Sequence, residues 1–164
     1  MNIYLIRHGE TIEGKNKMLL GHHPGTLTPE GIMQAKEAAG KIENIERIIT
    51  SDLHRALNFA ELIQQIKHVH YEKDARLRER NYGIYNGKPV DKLLSDFGSF
   101  DFEEAPPQGE SIIYFYQRVD SFFQSILSVT NIAVVTHAGV IMKLMDNFGL
   151  KKYVPNYGEV IKIR

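Results

Sequence analysis

The 164-residue chain reads as an α/β protein, a three-layer α/β/α sandwich around a mainly parallel sheet. Two observations lead there. Short apolar runs with a β-branched bias, at residues 3–6, 45–50 and 132–135, alternate with longer stretches whose apolar residues recur every three or four positions. Strands that alternate with helices pair in parallel, because each crossover helix returns the chain to the edge from which the previous strand began. The length suits one domain, residues 1–164, with room for a substantial core.

Residues 3–6 form the first strand. Residues 10–27 hold Gly14, Gly21, Pro24 and Gly25 with little periodicity, so they read as a long loop of the kind that often carries function. Thr28-Pro29-Glu30 starts a helix: Thr28 caps it, Pro29 needs no donor at the first position, and Glu30 meets the positive end of the dipole. Ile32, Ala35, Ala38, Ala39 and Ile42 mark its apolar face. The strand at 45–50 leads to a helix capped by Ser51 or Asp52 and running to about Ile66, with Leu53, Ala56, Leu57, Ala60 and Ile63 inward. Residues 69–71 read as a short strand, 76–87 as irregular, and 98–110, with Pro106, Pro107 and Gly109, as a loop. A helix from about Ser111 to Leu127, a strand at 132–135, a helix from Ala138-Gly139 through Phe148 and a strand at 159–163 complete the order.

Composition narrows the partners. Lysine plus arginine and aspartate plus glutamate stand at 20 each, so no global field exists to hold a nucleic-acid backbone or an anionic membrane. Any anion site must be local. The absence of cysteine excludes a disulfide framework, a thiolate nucleophile and cysteine-containing metal sites. The apolar start is broken early by Arg7 and His8 and carries no signal-peptide pattern, and 132–135 is far too short to span a bilayer, so the expectation is a soluble, cytoplasmic protein.

The chemistry gathers at strand ends. Arg7-His8-Gly9-Glu10 follows the first strand, and Thr136-His137-Ala138-Gly139 follows the most hydrophobic one. Ligands of open α/β sheets bind in the crevice beyond the strand carboxyl ends, so both histidines should face one cleft. Gly9 gives either a sharp turn or room for a bound group. A helix beginning just after His137 would add free N–H groups and a positive dipole end, and Arg55 lies in the first turn of the helix after the second strand. A phosphomonoester needs cationic donors, an in-line nucleophile and an acid for the leaving alkoxide. Arg7, Arg55 and one of the two histidines supply the donors, His8 or His137 the nucleophile. Glu79, in an irregular arginine-rich segment, is the candidate acid.

Five stretches then resemble the successive motifs of the histidine phosphatase superfamily, in order and over nearly the whole chain. They are Arg7-His8-Gly9-Glu10-Thr11, Leu27-Thr28-Pro29-Glu30-Gly31 with Gln34-Ala35, Ser51-Asp52-Leu53-His54-Arg55-Ala56, Leu77-Arg78-Glu79-Arg80-Asn81-Tyr82-Gly83, and Val135-Thr136-His137-Ala138-Gly139-Val140. The resemblance implies a phosphoglycerate mutase-like fold and a phosphatase in which His8 is phosphorylated. It implies that Arg7, Arg55 and His137 hold the phosphoryl oxygens, that Glu79 donates the proton and then helps activate water, and that neither metal nor cofactor takes part. Thr11, Gly21 and His22 join the expected substrate-binding set.

Departures bear on the substrate. Many members of the family carry asparagine six residues after the nucleophile, where this chain has Gly14, and an arginine often found before the glycine aligned with Gly21 is absent. Gly21-His22-His23-Pro24 looks closer to the α-ribazole phosphatase branch than to the mutases. The mutases have a larger insertion after the acid and a longer tail, so a chain lacking them should let water reach the phosphoenzyme and favour hydrolysis. The expected substrate is a small phosphomonoester resembling α-ribazole phosphate, without nucleic acid or membrane. Rival readings are a phosphoprotein (phosphohistidine) phosphatase, a phosphoglycerate mutase, and a phosphate-binding module without turnover.

Blander readings stand beside these. The two histidines could be hydrogen-bonded strand-end residues, Arg7 and Arg55 structural ion pairs, and Glu79 an exposed carboxylate paired with Arg78 or Arg80. His22 and His23 fit a polar loop tip as well as a substrate contact. His68 and His70 share a strand face, where two ligands alone rarely make a metal site.

Overall fold

A computed structural model describes residues 2–164. Five strands build the central sheet: β1 (Ile3–Arg7), β3 (Arg47–Thr50), β4 (His70–Lys73), β6 (Ile132–Thr136) and β7 (Val160–Lys162), while β2 (Met18–Leu19) pairs with β5 (Lys88–Pro89) in a separate ribbon. Across the central sheet the order is β4-β3-β6-β1-β7. The first four pair in parallel; β7 runs antiparallel to β1 at the edge.

Side-chain alternation along β1 separates two cores. Ile3 and Leu5 pack toward α5 (Ile112–Ile126) and α6 (Ala138–Asn147), against Phe115, Val119, Phe122, Ile141 and Leu144. Tyr4 and Ile6 face α2 (Pro29–Lys41) and α3 (His54–Lys67), against Ala35, Ala38, Phe59 and Ile63. This is the expected three-layer sandwich. Strands β1 and β6 are neighbours, with Arg7 opposite Thr136, yet the chain leaves them toward opposite faces: α2 after β1, α6 after β6. Such a divergence opens a crevice at the strand ends.

Local sequence explains most of the boundaries. Thr28 accepts from the Gly31 N–H at 3.0 Å to cap α2, with Pro29 in the first turn, and Ser111 caps α5 through the Tyr114 N–H. Of the expected apolar face of α2, Ile32 is exposed; the narrower stripe of Ala35, Ala38, Ala39 and Ile42 is buried.

Other elements depart from expectation. The loop at 10–27 contains α1 (Ile12–Lys15), capped by Thr11, and β2. Helix α4 (Val90–Phe97) was not anticipated; it joins Leu19, Tyr82, Tyr85 and Phe102 in a third apolar cluster. Neither Ser51 nor Asp52 caps α3, whose N-cap is Leu53 without a side-chain bond. His68 is the left-handed C-cap of α3 and His70 begins β4, so the two do not share a strand face. Gly9 serves close packing rather than a bound group: a Cβ there would meet the Gly31 carbonyl oxygen at 2.6 Å. Among the described residues no helix is long and apolar enough to cross a membrane.

Candidate active site

The parallel register of three strands sets the site. His8 N–H donates to the Thr136 carbonyl and Ser51 N–H to the Val135 carbonyl, both at 3.0 Å, so the residues leaving β1, β3 and β6 are adjacent. The rings of His8 and His137 meet edge to face with centroids 5.1 Å apart. His8 is 3% exposed and His137 fully buried.

Hydrogen bonds define the two imidazoles. His8 Nδ1 lies 2.8 Å from the Gly9 carbonyl oxygen, which can only accept, so Nδ1 carries the proton and Nε2 a lone pair. Arg55 Nε–H donates to that Nε2 at 3.2 Å. Burial, then the charges of Arg55 and Arg7, hold the His8 pKa well below its ordinary 6.5 and keep the ring neutral. His137 Nε2 stands 2.8 Å from Ser51 Oγ, while its buried Nδ1 has no partner among the described residues. Ser51 Oγ also accepts the Leu53 N–H; where it donates its own hydrogen to His137 Nε2, the imidazole proton lies on Nδ1.

Two guanidiniums line the cleft. Arg55 is 1% exposed, and its terminal nitrogens donate to the Gly21 and His23 carbonyls at 2.8 and 2.7 Å. Among the described residues no carboxylate bonds it directly, and burial pulls its pKa down to about 10 while leaving it cationic. Arg7 donates to the Pro155 carbonyl at 2.6 Å and keeps a buried Nε with no partner among those residues. Neither arginine is spent in a structural ion pair there. Arg7 Nε–H is an unspent donor, and His137 Nδ1 is a second in the tautomer whose Nε2 accepts the Ser51 hydroxyl, the pattern that an oxyanion would satisfy.

Glu79 closes the ring. Its carboxylate accepts from the Gly139 N–H at 3.1 Å, at the N-terminus of α6, and from the Arg80 N–H at 3.0 Å. The exposed-pair reading fails: Arg78 binds Asp52, and the Arg80 guanidinium binds the Phe100, Glu104 and Glu110 carbonyls. Arg7, His8, Gly21, Arg55 and Glu79 share one cavity of about 780 Å³, whose remaining wall includes Leu20, Leu94, Phe100, Phe115 and Met142. Leu19, Tyr82, Val90 and Leu94 of the third apolar cluster line part of the same cavity. Thr11, His22 and the fully buried His137, which lies behind His8, are not on that wall. The Thr11 hydroxyl accepts the Gly14 N–H as a helix cap, and His22 Nε2–H donates to the Glu79 carbonyl at 2.9 Å.

A neutral imidazole between cationic donors, with a carboxylate across the cavity, is equipped for phosphoryl transfer. The model of the histidine phosphatase superfamily (branch 1) matches residues 3–152. The chain belongs to that superfamily. It is 30% identical over 138 residues to a Yersinia pestis protein provisionally described as phosphoglycerate mutase GpmB, covering 79% of this chain and 64% of the relative. The chain thus spans under two thirds of the length of the curated relatives it matches.

Solved structures of superfamily folds superpose closely. TTHB049 from Thermus thermophilus is 28% identical with a TM-score of 0.80, covering 99% of this chain and 92% of that one. An Escherichia coli K-12 protein provisionally described as an α-ribazole-5′-phosphate phosphatase is 26% identical with a TM-score of 0.85, over 100% and 91% of the two chains.

Three residues of this superfamily member carried no recognised role in the sequence. Ser51 sits inside a quoted motif but reads there as a helix cap. Arg118 donates to the Arg76 and Glu79 carbonyls, both at 2.9 Å, and pairs with Glu110, bracing the segment that presents Glu79. Its signal, one arginine on a helix, is indistinguishable from a solvated face. Tyr157 reaches the cavity from the last loop, far from every motif.

Proposed function

We propose that this superfamily member is a cytoplasmic, metal-independent phosphatase that hydrolyses a small phosphomonoester through a phosphohistidine on His8. The observation that carries this reading is the state of His8: Nδ1–H is spent on Gly9, Nε2 has its lone pair, and burial beside Arg55 and Arg7 keeps the ring neutral. Such an imidazole attacks without an auxiliary base. The Nε2 lone pair forms the N–P bond as the P–O bond to the leaving group breaks, and Glu79 gives its proton to the departing alkoxide. The Glu79 carboxylate then takes a proton from water as that water attacks phosphorus. The N–P bond breaks, releasing inorganic phosphate and restoring His8. Arg7, Arg55 and the Nδ1–H of His137 meet the non-bridging oxygens as charge gathers there.

The wall beyond the phosphoryl site points to the leaving group. Leu20, Leu94, Phe100, Phe115 and Met142 suit an alcohol with a flat or apolar body, and a nucleotide ester resembling α-ribazole phosphate has one. The description of the Escherichia coli neighbour points the same way. Phosphoglycerate mutase is the second reading, favoured by the description of the curated relatives and by Lys17 on the same wall, which would meet a carboxylate, whereas Lys143 and Lys152 there already pair with Asp120 and Asp146. The small substrate is the proposed partner, with no nucleic acid or membrane.

Rapid quenching during turnover of an aryl phosphate tests the route. An acid-labile, base-stable phosphoryl group should map to His8, and nucleotide esters should release inorganic phosphate. Label on His137 would reverse the histidines, and conversion of 3-phosphoglycerate to its isomer without phosphate release would select the mutase. Unlabelled protein that binds phosphate would leave only a binding module.

A further inference from the structure

Tyr157 lines the cavity beside Arg7, His8 and Gly14. Its ring lies 4.0 Å from the Arg7 guanidinium carbon and is tilted 48° to the His8 imidazole, with 5.8 Å between centroids. Backbone bonds pin it there: Gly158 N–H donates to the Arg7 and His8 carbonyls, both at 3.1 Å, and Arg7 holds the Pro155 carbonyl from the other side. Residue 14 has to be small for this arrangement. A Cβ on Gly14 would stand 2.4 Å from the Tyr157 hydroxyl, closer than real atoms approach.

We infer that Tyr157 is a phosphoryl-binding residue whose hydroxyl donates to an oxygen of the group seated between Arg7 and His8, and that Gly14 is the space this hydroxyl requires. Tyr157 has this role only if His8 carries the phosphoryl group as proposed above. The chemistry is simple. A phosphoryl oxygen takes several donors, and a phenol O–H fixed by a stacked cation costs little entropy to aim. The ring's contact with Arg7 needs no hydroxyl, so phenylalanine preserves the stack and removes only the donor.

The test is a double-mutant cycle of Tyr157→Phe and Gly14→Ala, read with p-nitrophenyl phosphate as substrate and inorganic phosphate as competitive inhibitor. Tyr157→Phe should lower kcat/KM and weaken phosphate inhibition, each by about ten- to a hundredfold, the range for one hydrogen bond to a charged group. Gly14→Ala should cost as much in the parent by displacing the hydroxyl, and little more once the hydroxyl is gone. The contact of a new Cβ with Thr11, at 2.9 Å, is present in both backgrounds and cancels. Unchanged phosphate inhibition in Tyr157→Phe, or fully additive losses, overturns the assignment. Parent protein that labels on His8 while the cycle shows no coupling fails Tyr157 alone; parent protein without label fails the phosphohistidine reading itself.

Discussion

Arg55 Nε donates to His8 Nε2 at 3.2 Å, so the lone pair proposed to attack phosphorus is engaged by the cation proposed to stabilise the product of that attack. Arrival of a phosphoryl group would exchange one acceptor for another, with Arg55 shifting from nitrogen to oxygen while its terminal nitrogens stay on the Gly21 and His23 carbonyls. A fixed donor that gains its acceptor as charge develops acts on the transition state more than on the ground state.

Arg55→Ala should therefore lower kcat by roughly two orders of magnitude or more, the usual loss for one oxyanion donor. Stability should fall as well, because the buried Gly21 carbonyl loses its partner at about 1–3 kcal/mol and the half-buried bond to the His23 carbonyl is lost with it. Thermal unfolding alongside single-turnover kinetics separates the effects. A folded variant with parental kcat and only a raised KM would contradict the role.

The pH response of His8 and His137 has a definite sign. Burial, then nearby Arg55, lowers both pKa values well below 6.5. In the unfolded chain each takes up its proton near 6.5, while in the folded chain it does so only at lower pH. The unfolded state thus binds more protons below about 6.5, and stability falls as pH drops through that window. His137→Gln should flatten the fall in Tm between pH 7 and 5. Phosphoenzyme formation should keep its rate below pH 6, since folded His8 stays neutral there, and Arg55→Ala should move the acid limb upward. An acid limb at 6.5 in the parent would mean that His8 titrates like a free imidazole.

Gly139 and Glu79 make a sharper test of the acid. A Cβ on Gly139 would stand 2.5 Å from Glu79 Oε1, the far end of a flexible side chain. Gly139→Ala should leave the fold intact while displacing the carboxylate from the α6 N-terminus. Phosphoenzyme formation should fail mainly on alkyl phosphates, whose alkoxides need a proton, and suffer much less on aryl phosphates. Glu79→Gln should give the same split. Equal losses on both classes would move the search for the acid elsewhere in residues 76–87.

The legible parts of this site share a cause. His8, Arg55 and His137 leave strands or open helices whose apolar period is plain, so the sheet rule places them together before any coordinates. Helix α4 is legible by period but masked by its surroundings: Val90, Leu93, Leu94 and Phe97 recur at helical spacing just after a run dense in arginine, asparagine and glycine. Tyr157 was not legible, because its place depends on Gly158 folding back onto the end of β1, a contact between residues some 150 positions apart in sequence. His22 had the right neighbourhood and the wrong object, since it bonds the backbone that presents Glu79 rather than lining the cavity.

Ser51 offers the last prediction, because the direction of its hydrogen bond to His137 decides which ring nitrogen bears the proton. The hydroxyl accepts from Leu53 N–H at 3.2 Å and faces His137 Nε2 at 2.8 Å. The expected direction is donation to Nε2, which leaves Nδ1–H as a buried donor without a partner among the described residues, open to a phosphoryl oxygen. In Ser51→Ala that constraint disappears, and the tautomer with a bare Nδ1 would set a lone pair against the oxygen it should bind. Loss of one hydrogen bond costs about 0.5–1.5 kcal/mol of stability, so the variant should fold. Nitrogen chemical shifts of the His137 ring should report a proton on Nδ1 in the parent and a mixture in the variant, with kcat falling about tenfold as the loss of one such donor bond implies. A parent ring protonated on Nε2 would reverse the donor and acceptor in this pair, and His137 would then need a second proton before it could hold phosphate.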